Sequence, residues 1–146
     1  MRFRLIDQVL ERSDNRVVAV KAVTLAEEYL ADHFPSFPVL PGVFMIEAMV
    51  QAARHLLPSE GPRFVLGGVK ALRYGTFVSP GESLRVEVEL KKFAGGEATF
   101  RGEGLVIGPG IDPADADTAV SGRFTLREVR VAKVAVGTEG GEGSPA

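Results

Sequence analysis

The sequence predicts an α+β domain in which an antiparallel sheet wraps a single long helix. A helix fits Val43 to Leu57, and from Val43 to Ala53 it is apolar on nearly all sides, as expected of a buried helix. Beyond it the chain reads as strands: over Ser83 to Lys92, Leu84, Val86, Val88 and Leu90 alternate with Arg85, Glu87, Glu89 and Lys91. The turns between the late strands are short, which implies antiparallel pairing. The chain has 146 residues, enough for one domain with a sizeable core and no covalent staples. Residues 1–130 are assigned to that domain. Residues 131–146 form a tail, Gly-rich with Glu, Ser and Pro from Gly137 onward, and its distal part is expected to be disordered.

Taken in order, residues 1–10 form a mixed segment of no clear type. Val17 to Val23, rich in β-branched residues, reads as a strand. Thr24 to Tyr29 fits a short helical turn, with Thr24 as N-cap and Glu27 three residues on. Pro35, Pro38 and Pro41 then exclude a regular helix and stiffen the backbone. The long helix starts just after Pro41, where a missing N–H costs little, and Pro58 ends it. Phe64 to Tyr74 is a strand interrupted by Gly67-Gly68, which reads as a β-bulge or a close approach to the helix. After Ser83 to Lys92 comes a turn at Ala94-Gly95-Gly96. Two further strands follow, Glu97 to Ile107 and Thr118 to Val129, separated by a Gly/Pro/Asp loop. No internal repeat is present.

Composition excludes several functions. The formal net charge is −2, which gives no footprint for bulk nucleic-acid binding. There are no cysteines, hence no disulfides, no Cys-based zinc site and no thiol nucleophile. No apolar run approaches the roughly 20 residues that span a bilayer, and Met1 to Asp7 lacks the apolar core of a secretory signal. A cytoplasmic location is the expectation. Asp112, Asp115 and Asp117 do not match a calcium loop and read as a solvated acidic loop. His55 reads as a cation at a helix C-terminus.

Glu47 and Gln51 are the polar residues in the core of the apolar helix, four apart and so on one face. A carboxyl group on a buried helix must be partnered or stay protonated, and a neutral acid can act as a proton donor. The same pair also fits a solvated stripe or a capped buried pair in a structural network. His33 lies fourteen residues upstream of Glu47, in the proline-stiffened turn, where rigidity suits an acid/base group. Gly42 stands at the helix N-terminus, where unpaired backbone N–H groups stabilise negative charge and a glycine admits a close approach. One segment thus offers a base, an acid and an oxyanion donor.

The run His33-Phe34-Pro35-Ser36-Phe37-Pro38-Val39-Leu40-Pro41-Gly42-Val43-Phe44-Met45-Ile46-Glu47-Ala48-Met49-Val50-Gln51 resembles the H-F-P-x-x-P-x-x-P-G-V-x-x-x-E-A-x-x-Q motif of FabZ-type 3-hydroxyacyl-[acyl-carrier-protein] dehydratases. Arg4 to Leu10 and Val78 to Leu84 are similar to two further stretches of that family, so the resemblance spans roughly residues 3–128. It implies a hotdog fold, an antiparallel sheet wrapped around one central helix. It implies a homodimer, often built into a hexamer, with His33 of one chain meeting Glu47 of another. His33 would take the proton beside the thioester carbonyl, Glu47 would protonate the departing hydroxyl, and the Gly42 N–H would bind the thioester oxygen. Gln51 would orient Glu47. Phe37, Phe44 and Phe77 would line an apolar acyl tunnel. The substrate would be carried by acyl carrier protein or CoA, with no cofactor and no metal.

The chain departs from the family pattern in three places. Asp32 replaces a glycine before His33, and a neighbouring carboxylate favours the protonated imidazole over the base. Gly75-Thr76-Phe77 replaces a common Arg-Arg-Pro, which removes two charges suited to an acidic carrier; Arg54, Arg63, Lys70 and Arg73 could compensate. The opening lacks the longer lead of many members. These departures keep two alternatives in view: a hotdog enzyme acting on CoA thioesters as hydratase or thioesterase, and a non-catalytic acyl-binding subunit paired with an active paralogue.

Overall fold

The computed structural model describes residues 4–24 and 39–129. Within them, the strands are β1 (Gln8–Arg12), β2 (Arg16–Ala22), β3 (Arg63–Tyr74), β4 (Ser83–Ala94), β5 (Glu97–Ile107) and β6 (Thr118–Val129). Helix α1 (Gly42–Ala53) continues into a 3-10 turn, Arg54–Leu56. All strand pairings are antiparallel, and the sheet order is β1-β2-β4-β5-β6-β3.

Strand alternation decides which face of the sheet receives the helix. In β4, Leu84, Val86 and Val88 are buried while Arg85, Glu87 and Glu89 remain partly exposed. Register carries that buried face across the sheet. Val86 pairs with Gly104 and Val88 with Gly102; Phe100 then pairs with Phe124, and Ala98 with Leu126. Phe100 and Phe124 stack with ring centroids 5.3 Å apart. Helix α1 presents Met45, Ala48, Met49 and Ala52 to this face, the three-and-four spacing of a helical stripe. Glycine sets the depth of the seat. A Cβ at Gly102 would stand 2.6 Å from Met49 Sδ, so the bare backbone there is what lets the helix sit so close.

Two features differ from expectation. The mixed opening segment runs into β1, an edge strand that is mostly exposed and carries a register shift between Val9 and Glu11. With no buried alternate positions, it has no two-residue period to read. The second concerns β3 and β4, which short connections suggested would be neighbours. They are not: β3 pairs with β6 on the far edge. The eight residues 75–82 can span up to ~27 Å, more than the ~14 Å across the strands between. This link is fastened on the way by Leu40 N–H to the Val78 carbonyl (2.9 Å) and Gly81 N–H to the Val23 carbonyl (2.9 Å).

Elsewhere the expected elements agree with the observed ones, except that the long helix passes into its 3-10 turn at Arg54, before the expected end at Leu57. The bulge at Gly67-Gly68 is present as a register shift between Leu66 and Gly68. A second shift in β3, between Lys70 and Arg73, brackets Ala71 at φ 54°. In the acidic loop, Asp112 Oδ1 accepts from Ala114 N–H (2.9 Å) and caps the 3-10 turn Pro113–Asp115. Most of the expected turn from Thr24 to Tyr29, the proline-rich segment through Pro38 and the tail lie outside the described residues. No helix among the described residues is long and apolar enough to cross a membrane.

Phe100 is fully buried beneath α1. Phe100→Ala should lower unfolding free energy by about 3–5 kcal/mol, measured by denaturant titration with the m-value unchanged.

Candidate active site

Helix α1 is apolar nearly all round, but the sheet covers one side of it. Val43 is 64% exposed, and the Glu47 side chain, one turn further on, is 46% exposed. Val43, Glu47, Gln51 and Arg54 therefore form a stripe facing away from the sheet. The buried carboxyl group expected from the sequence is half-open in the single chain, because the layer that would cover this stripe is not supplied by its own sheet.

Glu47 is nonetheless held. Gln51 Nε2 donates to Glu47 Oε2 (3.3 Å), and Gln51 Oε1 accepts from the backbone N–H of Leu5 (2.9 Å). Leu5 is 1% exposed, so its N–H needs that acceptor. Satisfying Leu5 fixes which end of the Gln51 amide faces Glu47 and leaves the NH2 to donate. Arg54 adds a guanidinium 3.9 Å from Glu47 Oε2 and donates to the Phe64 carbonyl (3.4 Å). Both partners of this ion pair are nearly half-exposed, so it contributes at most about 1 kcal/mol. Its effect is on the local field.

The stripe opens into a groove of about 710 Å³. Arg4, Glu47, Gln51, Arg54 and Arg63 form its polar wall; Leu57 and Phe64 are among its apolar lining. Neither Phe44 nor Phe77, expected beside the acyl chain, lines it. Phe44 is turned toward the core, one helical position from the open stripe, and Phe77 sits half-exposed in the 75–82 link. Phe37, His33 and Asp32 lie outside the described residues.

At the helix start, Gly42 faces Tyr74. A Cβ at Gly42 would stand 2.7 Å from the Tyr74 ring, so glycine makes room for this tyrosine as well as for any ligand. Partial burial pushes the Tyr74 phenol up from its usual range, which keeps the hydroxyl protonated at neutral pH. Sequence reasoning missed Tyr74 and Arg4; Tyr74 is placed only by the end of β3. Gly75 has a structural reason of its own: any side chain there would collide with the Thr118 carbonyl oxygen. A basic residue at 75 would not fit this backbone. Among the described residues no cluster of His, Asp and Glu could hold a metal ion.

Known proteins resemble this chain in sequence and in fold. Residues 9–105 match the family model described as ApeI-like, ApeI dehydratase. A 3-hydroxyacyl-[acyl-carrier-protein] dehydratase FabZ of Clostridium perfringens is 40% identical over 112 residues, covering 71% of this chain and 81% of the relative. Among solved structures, a chain of the dehydratase heterocomplex ApeI:P from Xenorhabdus doucetiae superposes with a TM-score of 0.62 at 20% identity, covering 86% of this chain and 99% of that one. A thioesterase-superfamily member from Thermus thermophilus gives 0.61 at 24%, covering 82% and 84%. At such identities the two structures speak for the fold, and that fold is the hotdog.

Gln51→Met keeps the side-chain volume and removes both hydrogen bonds. It should cost about 1–3 kcal/mol in thermal or denaturant unfolding, chiefly through the buried Leu5 N–H.

Proposed function

Because the chain belongs to the ApeI-like dehydratase family, we propose that it removes water from a 3-hydroxyacyl thioester, giving the trans-2-enoyl thioester in fatty-acid or related acyl-chain synthesis. The observation that carries this reading is the Leu5–Gln51–Glu47 relay, which holds a carboxyl group in fixed orientation on the wall of a substrate-sized groove.

In the proposed reaction the thioester oxygen lies at the Gly42 N–H. His33 takes the proton from C2, and charge builds on that oxygen, where the helix N-terminus favours it. The C3–O bond then breaks, and Glu47 gives its proton to the departing hydroxyl, which leaves as water. Gln51 acts as a positioning residue through Glu47. Phe37 remains a proposed acyl contact. The carrier is acyl carrier protein or CoA, the location cytoplasmic, and the chemistry needs no cofactor.

The proposed active form is a homodimer or an assembly of dimers, with His33 and Glu47 contributed by different copies. Two features support this. The Glu47 stripe is open in the single chain, and among the described residues β3 is an edge strand with Leu66 and Val69 exposed.

With a 3-hydroxyacyl thioester as substrate, absorbance of the conjugated enoyl product should rise, and His33→Ala or Glu47→Gln should each lower the rate by about 10²–10⁴-fold. Full activity in either variant refutes the assignment, and release of free thiol marks a thioesterase instead. Co-expressed, the two dead variants should regain about a quarter of wild-type activity, since half of randomly paired dimers hold one intact site. No recovery places both groups in one chain.

A further inference from the structure

The groove beside Glu47 is not the apolar tunnel that a plain alkyl chain would favour. Among the described residues, its walls carry three guanidinium groups, those of Arg4, Arg54 and Arg63, against one carboxylate, Glu47. Arg54 is the one near Glu47; among the described residues, neither Arg4 nor Arg63 has an acidic partner. Among the described lining residues there is thus a local excess of two positive charges, in a chain whose net charge is −2.

Position along α1 says which end of a substrate these groups meet. This step rests on the dehydration reading above. With the thioester oxygen at Gly42 and the departing hydroxyl at Glu47, the substrate runs from C1 to C3 in the same direction as the helix. The Arg54 backbone follows Glu47 by seven residues, about 10 Å further at 1.5 Å per residue, and its guanidinium reaches back to 3.9 Å from Glu47 Oε2, so its charge stands beside Glu47, on the acyl side of Gly42. Arg63 and Arg4 line the same groove. An alkyl terminus there would displace water from guanidinium groups and return nothing, whereas a carboxylate can take paired, charge-assisted hydrogen bonds.

We propose that this groove selects 3-hydroxyacyl thioesters whose acyl group ends in a carboxylate. The substrate class is then the half-thioester of a 3-hydroxydicarboxylic acid, with Arg54 and Arg63 as specificity-determining residues and Arg4 adding to the field.

The test compares N-acetylcysteamine thioesters of 3-hydroxyhexanoate and 3-hydroxyadipate. These lack phosphate and carrier, so any preference for an anion belongs to the acyl end. The wild-type protein should favour the adipyl substrate in kcat/KM by at least about tenfold, the weight of one good charged hydrogen bond. Arg54→Gln and Arg63→Gln should each pull that ratio toward one, mainly through KM. A wild-type ratio near one, with hexanoyl turnover that still requires Glu47, overturns the carboxylate proposal and leaves dehydration standing. No turnover of either substrate overturns both. Two further outcomes also overturn it. If the variants instead lose a preference for CoA over N-acetylcysteamine thioesters, the arginines meet the carrier's phosphates. If they shift the sedimenting species from dimer to monomer without moving the ratio, the arginines meet a second copy of the chain.

Discussion

The seating of α1 on the sheet governs everything else in this molecule. Met49 lies over Gly102, where even a methyl group would force a shift, and the pairs Phe100–Phe124 and Ala98–Leu126 complete the floor. The helix has three-and-four spacing on that side, so its rotation about its own axis is fixed by packing. Once Met45 and Met49 are down, Val43, Glu47 and Gln51 must point away. The placement of the Glu47 stripe is therefore a consequence of core packing and needs no separate device.

Orientation within the stripe comes from the opposite end of the chain. Leu5 is buried, and its N–H finds its acceptor in Gln51 Oε1 rather than in a neighbouring strand. A backbone donor that must be satisfied is a stronger constraint on an amide than a solvent-exposed side chain would be. The opening segment, which has little periodic signal, thereby sets the amide that faces the carboxyl group. Arg54 enters from the helix end, tied to the Phe64 carbonyl just where β3 begins. Glu47 is thus referenced to the N-terminal segment, the helix and the far edge of the sheet.

Much of this was legible in the sequence, and the parts that were not share a cause. The bounds of β5 and β6 follow directly from alternation and turn residues, and the helix start follows from Pro41. The pairing of Glu47 with Gln51 follows from spacing alone. Extending the same spacing to position 54 would have brought Arg54 into the stripe as well. What spacing cannot supply is contact between distant segments. Leu5 on Gln51, Tyr74 on Gly42 and the crossing of 75–82 to the far edge depend on where strands come to rest. The absence of Phe44 from the groove has the same kind of cause: it differs from the open stripe by one residue, and one residue on a helix is a turn of about 100°.

The open side of α1 makes the single chain incomplete in a specific way. A helix that is apolar nearly all round belongs in an interior, yet Val43 stands mostly in solvent and Phe44 and Ile46 are covered in part. On the far edge, the twelve-residue β3, bent by two bulges, has no neighbour on its outer side among the described residues. Both deficits are relieved if a second copy lies against this face, because the surface that covers the stripe would also wall the groove. Covering it would remove water from around Glu47 and strengthen the field of Arg4, Arg54 and Arg63. The arginine wall then has a second consequence: a covered groove rich in guanidinium groups is costly to leave empty of anions. Packing of the helix, closure of the groove and the charge of its preferred occupant are thus three aspects of one uncovered helical face.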